Sequence, residues 1–419
     1  MDSKVAALAQ GWIDIDPNPT TRAAIQKLVD AGDEAALKKA LGSRLTFGTA
    51  GLRGPMGPGY SRMNDVTVLQ CTQGIVSYLQ KTNSADDLKA KGVVIGYDHR
   101  RSDTGVNSEA MALVAAAVCI QMGIKVYLYG RIVATPLVPF CVTHKGCAAG
   151  MMVTASHNPK DDNGYKMYGP NGAQLCEPHD TAISELILQN LAPWADYEAA
   201  AKTVRASPLC VDEFDRLSEE YFKTMADTLC FHAADNAASE LKIVYTAMHG
   251  VGAPFTARAF AAFRLPPFVP VPAQNDPDPS FPTVTYPNPE EGKGALQLSF
   301  DAARAAGARL VLANDPDADR LAVLTPSRSP RPAPPRPAPF PCAPPRSEDR
   351  RRPPVGSPSS ATEPFPTPHH APACPCIGPC RRTDEGTVRI AGGGAGRGWD
   401  VAGLQRQRDR DAARALALH

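Results

Sequence analysis

No stretch of this chain is apolar for long enough to cross a bilayer: the longest, around Met111 to Ile124, is broken by Gln121 and falls short of the roughly 20 residues that a spanning helix needs. No membrane segment is expected. Neither sign of charge is in excess. A formal net charge of +1 with a pI near 7.6 gives no reason to expect a nucleic-acid or membrane-surface partner, and points to a small-molecule ligand. The 11 cysteines have no paired spacing, and the opening MDSKVAALAQ has no apolar signal core, so a cytoplasmic protein is expected. Two phosphate-binding fingerprints are also missing. There is no G-x-x-x-x-G-K-[ST], nor a G-x-G-x-x-G after a strand, which removes the usual grounds for a nucleotide site.

What is present is an α/β pattern. The 419 residues exceed what one core usually serves, about 250, so two or three domains are expected. Short apolar runs alternate with helix-like segments from about Leu45 to Val323. The expected strands are Gly92 to Tyr97, Lys125 to Tyr129, Ala148 to Val153, Leu241 to Tyr245 and Arg309 to Ala313. The expected helices run from Asp65 to Leu79, Asn107 to Met122, Asp180 to Leu191, Val211 to Leu229 and Glu290 to Ala306, with Asn64 or Asp65 and Asn107 as caps. The irregular stretch from Ala192 to Leu209, with Pro193 and Pro208, marks a boundary near residue 208. The division expected is a helical extension over 1–40, α/β domains over 41–207 and 208–325, and a tail over 326–419.

Three segments carry chemistry. Thr154-Ala155-Ser156-His157-Asn158-Pro159 follows the apolar run AAGMMV directly and precedes the turn-forming KDDNG, which exposes a serine at a strand end. Ser156 is not in a G-x-S-x-G elbow. Side chains adjacent in an extended loop diverge, so His157 cannot be triad base to its neighbour, and a hydrolase triad is disfavoured. Asn314-Asp315-Pro316-Asp317-Ala318-Asp319-Arg320 likewise follows the run RLVLA. Carboxylates at every second residue of an extended segment project to one side, and three hard oxygen ligands suit Mg²⁺. An EF-hand would need Gly just after the third acidic position and Glu at its end, where Arg320 and Pro326 stand. Beside one carboxylate Arg320 would read as a neutralising ion pair. Beside three, a fixed guanidinium next to a metal is what phosphoryl transfer requires. The third segment, Thr46 to Gly54 (TFGTAGLRG), is a glycine-rich turn presenting Arg53, by itself weak ground for phosphate binding.

Together these segments resemble the α-D-phosphohexomutase superfamily, in which TASHNP carries a phosphoserine and a D-x-D-x-D-R loop holds magnesium. LTFGTAGLRGPMGPG, SHNPKDDNGYKMY with NGAQL after it, HGVG at His249 to Gly252, DPDPSFPTV and YPNPEEGKG are similar to its phosphoglucomutase-2 branch, whose members act as phosphopentomutases and on glucose phosphates. The likeness runs from about residue 40 to residue 324. It implies that Ser156 is the phosphoserine and, with Asp315, Asp317 and Asp319, a magnesium ligand, and that Arg320 contacts the phosphoserine or substrate. Arg53, His157 and Lys166 match further catalytic and phosphate-binding positions, with the general base left open. Lys166 alone would pass for a solvated surface lysine; its place in NGYK raises it above that. The activity implied is an intramolecular phosphotransferase that interconverts sugar 1-phosphates with 5- or 6-phosphates through a bisphosphate intermediate. Its partner is a small sugar phosphate, and its primer a sugar bisphosphate of the glucose 1,6-bisphosphate type.

After Leu324 the character changes. Nearly half of the 41 prolines fall between Pro326 and Pro379, removing backbone donors, so disorder is expected over 326–419 with at most a marginal helix from Gln405 to Leu418. Cys374, Cys376 and Cys380 with His369 and His370 lie in this unpatterned sequence, where a zinc fold is not expected. The resemblance implies two further domains bearing a GEMSGH-type sugar loop and a serine- and arginine-containing phosphate clamp; neither sequence occurs. An altered reading frame or retained intron would produce such a join, and impaired turnover is expected. The alternative is a non-catalytic truncated isoform or gene-model fragment acting at most as a binding module; a phosphatase-like hydrolase ranks third.

Overall fold

The five apolar runs singled out above all form strands, and their side chains alternate between two layers of core. Val93 and Ile95 pack with Met111 and Ile75 on one face of the first sheet, while Val94 packs with Val138 and Val142 on the other. A strand apolar on both faces is stable only between two layers of helix. The computed structural model describes residues 1–290 and 294–326, together with strands at 388–390 and 399–402.

The first sheet contains β1 (Leu52–Pro55), β2 (Val93–Tyr97), β3 (Val126–Leu128), β4 (Ala149–Val153), β5 (Asp162–Tyr168) and β6 (Cys210–Val211), in the order β1-β5-β4-β2-β3-β6. Only β5 runs against its neighbours. Asn64 starts the helix Asp65–Thr82 with a capping box shared with Thr67, and Asn107 caps Ser108–Gln121, as the sequence predicts. With His179–Gln189 these helices cover one face; Leu137–Lys145 and the first turns of Phe214–Leu229 cover the other. Three helices, Ser3–Ile15, Pro19–Asp30 and Glu34–Leu41, close over fully buried Trp12, Ile25 and Leu37.

The second sheet contains β7 (Ile243–Thr246), β8 (Val269–Pro270), β9 (Leu310–Asn314), β10 (Leu321–Pro326), β11 (Val388–Ile390) and β12 (Trp399–Ala402), in the order β11-β12-β10-β9-β7-β8. β12 lies antiparallel to β10, with Ala402 opposite Val323. These two stretches of the segment expected to lack order are thus strands. The rest of it, including the cysteines and histidines of the tail and the expected helix from Gln405, lies outside the described residues. No helix among the described residues is long and apolar enough to cross a membrane.

Two expectations are corrected. The helix expected from Glu290 begins only at Gln297 (Gln297–Ala306), behind a turn at Gly294, whose φ of +83° is not helical. KDDNG, read as a polar turn, runs at Asp162 into the largely buried strand β5, where Asn163 bonds Ser108 and Lys166 bonds Asp317 and Asp319.

Candidate active site

Ser156 stands just past the end of β4 with φ +56° and 2% exposure, a left-handed conformation that a non-glycine residue adopts at a cost on the order of 1–3 kcal/mol. Its backbone N–H donates to Thr154 Oγ1 at 2.9 Å, and its Oγ donates to Asp315 Oδ2 at 2.7 Å, so the nucleophile of the first sheet points at the acidic loop of the second.

That loop leaves β9 and turns immediately. Ala318 has φ +56° and its N–H donates to Asp315 O at 2.9 Å. The three carboxylates therefore converge by a turn, correcting the expectation that alternation along an extended segment aligns them. Gly250 makes the turn possible from outside: a Cβ there would come within 2.2 Å of Pro316 Cα, and Val251 N–H donates to Pro316 O at 2.8 Å. This gives the HGVG motif a structural role.

Asp315 and Asp317 are fully buried, and one carboxylate oxygen from each of Asp315, Asp317 and Asp319 falls within 4.8 Å of the others. Asp317 Oδ2 accepts from Lys166 Nζ at 2.8 Å, Thr135 Oγ1 at 2.7 Å and Thr154 Oγ1 at 3.3 Å, whereas its buried Oδ1 has no partner among the described residues. Burial works to raise Asp317, but the charge and hydrogen bond of Lys166, together with the hydrogen bond from Thr135, hold that carboxyl below its usual range. Burial, then the charges of Asp317 and Asp319, push Asp315 well up. A hard-oxygen set with one buried oxygen left open and one carboxyl driven towards its neutral form fits a divalent cation, which would hold all three ionised.

The basic residues named from sequence surround this point. Lys166 on β5, 4% exposed, bridges Asp317 and Asp319 at 2.8 Å each, and their charges raise its pKa although burial opposes them. Arg53 on β1 donates to Asn158 Oδ1 at 3.0 Å, while its buried Nε has no partner among the described residues. Gly51, ahead of it, lies against the Tyr165 carbonyl with φ +74°, where a Cβ would approach to 2.0 Å. Burial, then Arg320 and Arg53, lower His157 to about 4. Arg320 N–H donates to Asp315 Oδ1 at 3.0 Å, and its side chain lies 4.0 Å from Asp315 Oδ2 and 3.7 Å from Glu290 Oε2. All eight residues named from sequence therefore meet or flank one seam.

Sequence reasoning missed Thr135 and Thr154, which bind Asp317 Oδ2, and Arg100, whose guanidinium grips the serine loop from beneath. Arg100 has a readable signal: DHRR follows β2 as TASHNP follows β4. Thr135 has none, since its partner is 182 residues away.

Two α/β sheets meeting at a buried serine and an acidic loop define the phosphoglucomutase/phosphomannomutase class. The family's α/β/α domain I matches residues 44–193 and its α/β/α domain II matches residues 219–328, so the chain belongs to this family and contains both domains. Among curated relatives it is 49% identical over 325 residues to phosphopentomutase of Mus musculus, covering 77% of this chain and 52% of the relative. It is 44% identical over 312 residues to glucose 1,6-bisphosphate synthase of Homo sapiens, covering 74% and 50%. The chain thus spans about half the length of the curated relatives it matches. Among solved structures, a protein assigned as a phosphomannomutase from Thermus thermophilus superposes with a TM-score of 0.53 at 26% identity, covering 67% of this chain and 57% of that one.

Proposed function

We propose that the two sheets belong to two domains, divided beyond β6 and not at residue 208, because Cys210 and Val211 pair with β3 of the first sheet, and that the seam between them moves a phosphoryl group between Ser156 and a sugar phosphate, the chemistry of a phosphopentomutase or phosphoglucomutase. The observation that carries this reading is the 2.7 Å hydrogen bond from Ser156 Oγ to Asp315, made beside the Lys166 ammonium. In the forward step the bond from phosphorus to Ser156 Oγ breaks, a bond from phosphorus to the free sugar hydroxyl oxygen forms, and the hydroxyl proton ends on the departing Ser156 Oγ. Transfer of the other phosphate of the resulting bisphosphate regenerates phospho-Ser156. Lys166, Arg53, His157 and Arg320 supply donors to phosphate oxygens, and the buried setting strengthens each contact. Mg²⁺ held by Asp315, Asp317, Asp319 and the Ser156 oxygen would neutralise charge on the transferred group.

An unphosphorylated chain needs a sugar bisphosphate as its phosphoryl source, a reading supported by the likeness to a glucose 1,6-bisphosphate synthase. The compartment that suits these substrates is the cytoplasm. Incubation with phosphate-labelled glucose 1,6-bisphosphate and Mg²⁺ is expected to label the wild-type chain and leave Ser156→Ala unlabelled. An unlabelled wild-type chain would overturn the reading and favour a binding module. Isomerisation of ribose 1-phosphate or glucose 1-phosphate in a coupled assay is expected to be slow, since a GEMSGH-type loop is absent from the sequence and grip on the remote phosphate is what normally orients the reacting hydroxyl. A rate equal to that of a full-length relative would contradict this.

A further inference from the structure

Arg100 leaves the end of β2 and runs beneath the serine loop with its side chain wholly buried. Its two terminal nitrogens donate to four main-chain carbonyls of that loop: Nη2 to Ser156 O at 2.8 Å and Asn158 O at 2.9 Å, Nη1 to Pro159 O at 2.7 Å and Asp162 O at 3.0 Å. Four inward-facing carbonyls around one point would repel one another without a cation at their centre. Only a planar fork with several donors reaches all of them; an ammonium has three donors and no fixed plane.

The fork is itself fixed. Asp98 Oδ2 lies 3.2 Å from Arg100 Nε, and Asp98 Oδ1 accepts from Arg100 N–H at 3.0 Å and from Ser108 Oγ at 2.6 Å. Asn163 Nδ2, at the start of β5, donates to Ser108 Oγ at 2.9 Å, which ties the far end of the loop to the same network. From the second domain, the buried ring of Phe281 lies 5.2 Å from the guanidinium carbon. We propose that Arg100 is a positioning residue for phosphoryl transfer, holding Ser156 in its left-handed turn so that Oγ meets Asp315. This inference rests on the reading of Ser156 as phosphate carrier, but its geometry can be tested apart from that reading.

The variant Arg100→Lys keeps the charge and loses the fork. With labelled glucose 1,6-bisphosphate it is expected to label Ser156 about 100-fold more slowly, because a displacement near 1 Å has an effect of that order, while the half-saturating bisphosphate concentration stays within about threefold. Hydrogen exchange of the amides over 156–164 is expected to accelerate, with Asp65–Thr82 and Ser108–Gln121 as protected as before. A wild-type labelling rate in R100K overturns the proposal, and so does faster exchange spread over both helices, which marks a role in the fold alone. If wild-type protein takes no label, the phosphate-carrier reading fails, and the exchange data still decide: local acceleration supports positioning, and unchanged exchange refutes it. Should R100K not fold, Phe281→Leu leaves the guanidinium in place and removes only the ring. It is then expected to slow labelling by about 2- to 10-fold at unchanged half-saturation, and an unchanged rate refutes the proposal.

Discussion

In the N-terminal layer, buried Asp16 accepts from Trp12 Nε1 at 2.9 Å, Thr21 Oγ1 at 2.6 Å and Asn18 N–H at 3.0 Å, and buried Asp65 accepts from Asn18 Nδ2 at 2.7 Å. These donors are neutral, and burial dominates: it raises the pKa of Asp16, on which Arg22 is the weakest influence, and lifts Asp65 to about 6. At the seam Asp315 and Asp317 are buried as deeply, but among like charges, with an ammonium against one of them, a serine hydroxyl against the other and one oxygen without a partner among the described residues. A buried carboxylate with neutral donors helps fix the fold. A cluster of them with surplus negative charge is arranged to receive a cation and a phosphate.

The comparison breaks first at Lys166. In Lys166→Met, labelling of Ser156 by glucose 1,6-bisphosphate is expected to fall roughly 10²- to 10³-fold, the range found when one preorganised charge-stabilising donor is removed. The measurement is the initial rate of label incorporation under saturating Mg²⁺. A fall below about tenfold would place Lys166 with the structural residues. Asp16→Asn, by contrast, is expected to leave that rate unchanged in the folded fraction.

A second difference lies in the response to metal. Mg²⁺ at about a hundredfold its dissociation constant is expected to raise the unfolding free energy by about 2.7 kcal/mol, since a ligand that binds only the folded state stabilises by mass action. Denaturant titrations with and without EDTA read this directly. The gain is expected to vanish in the double variant Asp315→Asn, Asp317→Asn and to persist in Asp65→Asn. An equal gain in all three proteins would mean that the acidic loop is not the metal site.

Much of this contrast is legible in the amino-acid sequence. Apolar runs locate β2, β3, β4, β7 and β9, and Asn64 and Asn107 mark their helix starts, because these signals are local. The serine and acidic loops stand out because each interrupts an apolar strand with polar residues at its carboxyl end. β5 is hidden because its first residues, Asp162, Asn163 and Gly164, have the composition of a turn, and Asn163 and Lys166 are buried for the sake of partners far away in sequence. For the carboxylates, the sequence yields the right convergence for the wrong reason. Their meeting depends on the positive φ at Ala318, which no alternation rule contains.

The smallest expected effect belongs to Asp65 and tests the other half of the comparison. Its pKa rises from the ordinary value of 3.8 to about 6 on folding, burial being the largest cause, so between those values the folded chain binds more protons than the unfolded chain. Stability from this group is therefore greatest below pH 3.8 and is lost as pH rises through about 6. Between about pH 5 and pH 7 the loss is roughly 1 kcal/mol, given 1.36 kcal/mol per unit. Asn at this position keeps an oxygen for Asn18 Nδ2 and cannot ionise, so Asp65→Asn is expected to flatten the pH dependence of unfolding by that amount, seen as a wild-type-minus-variant difference that grows as pH falls. A pH-independent difference would show that Asp65 ionises in the fold as readily as in the unfolded chain. Its neutral donor would then not distinguish it from the carboxylates at the seam.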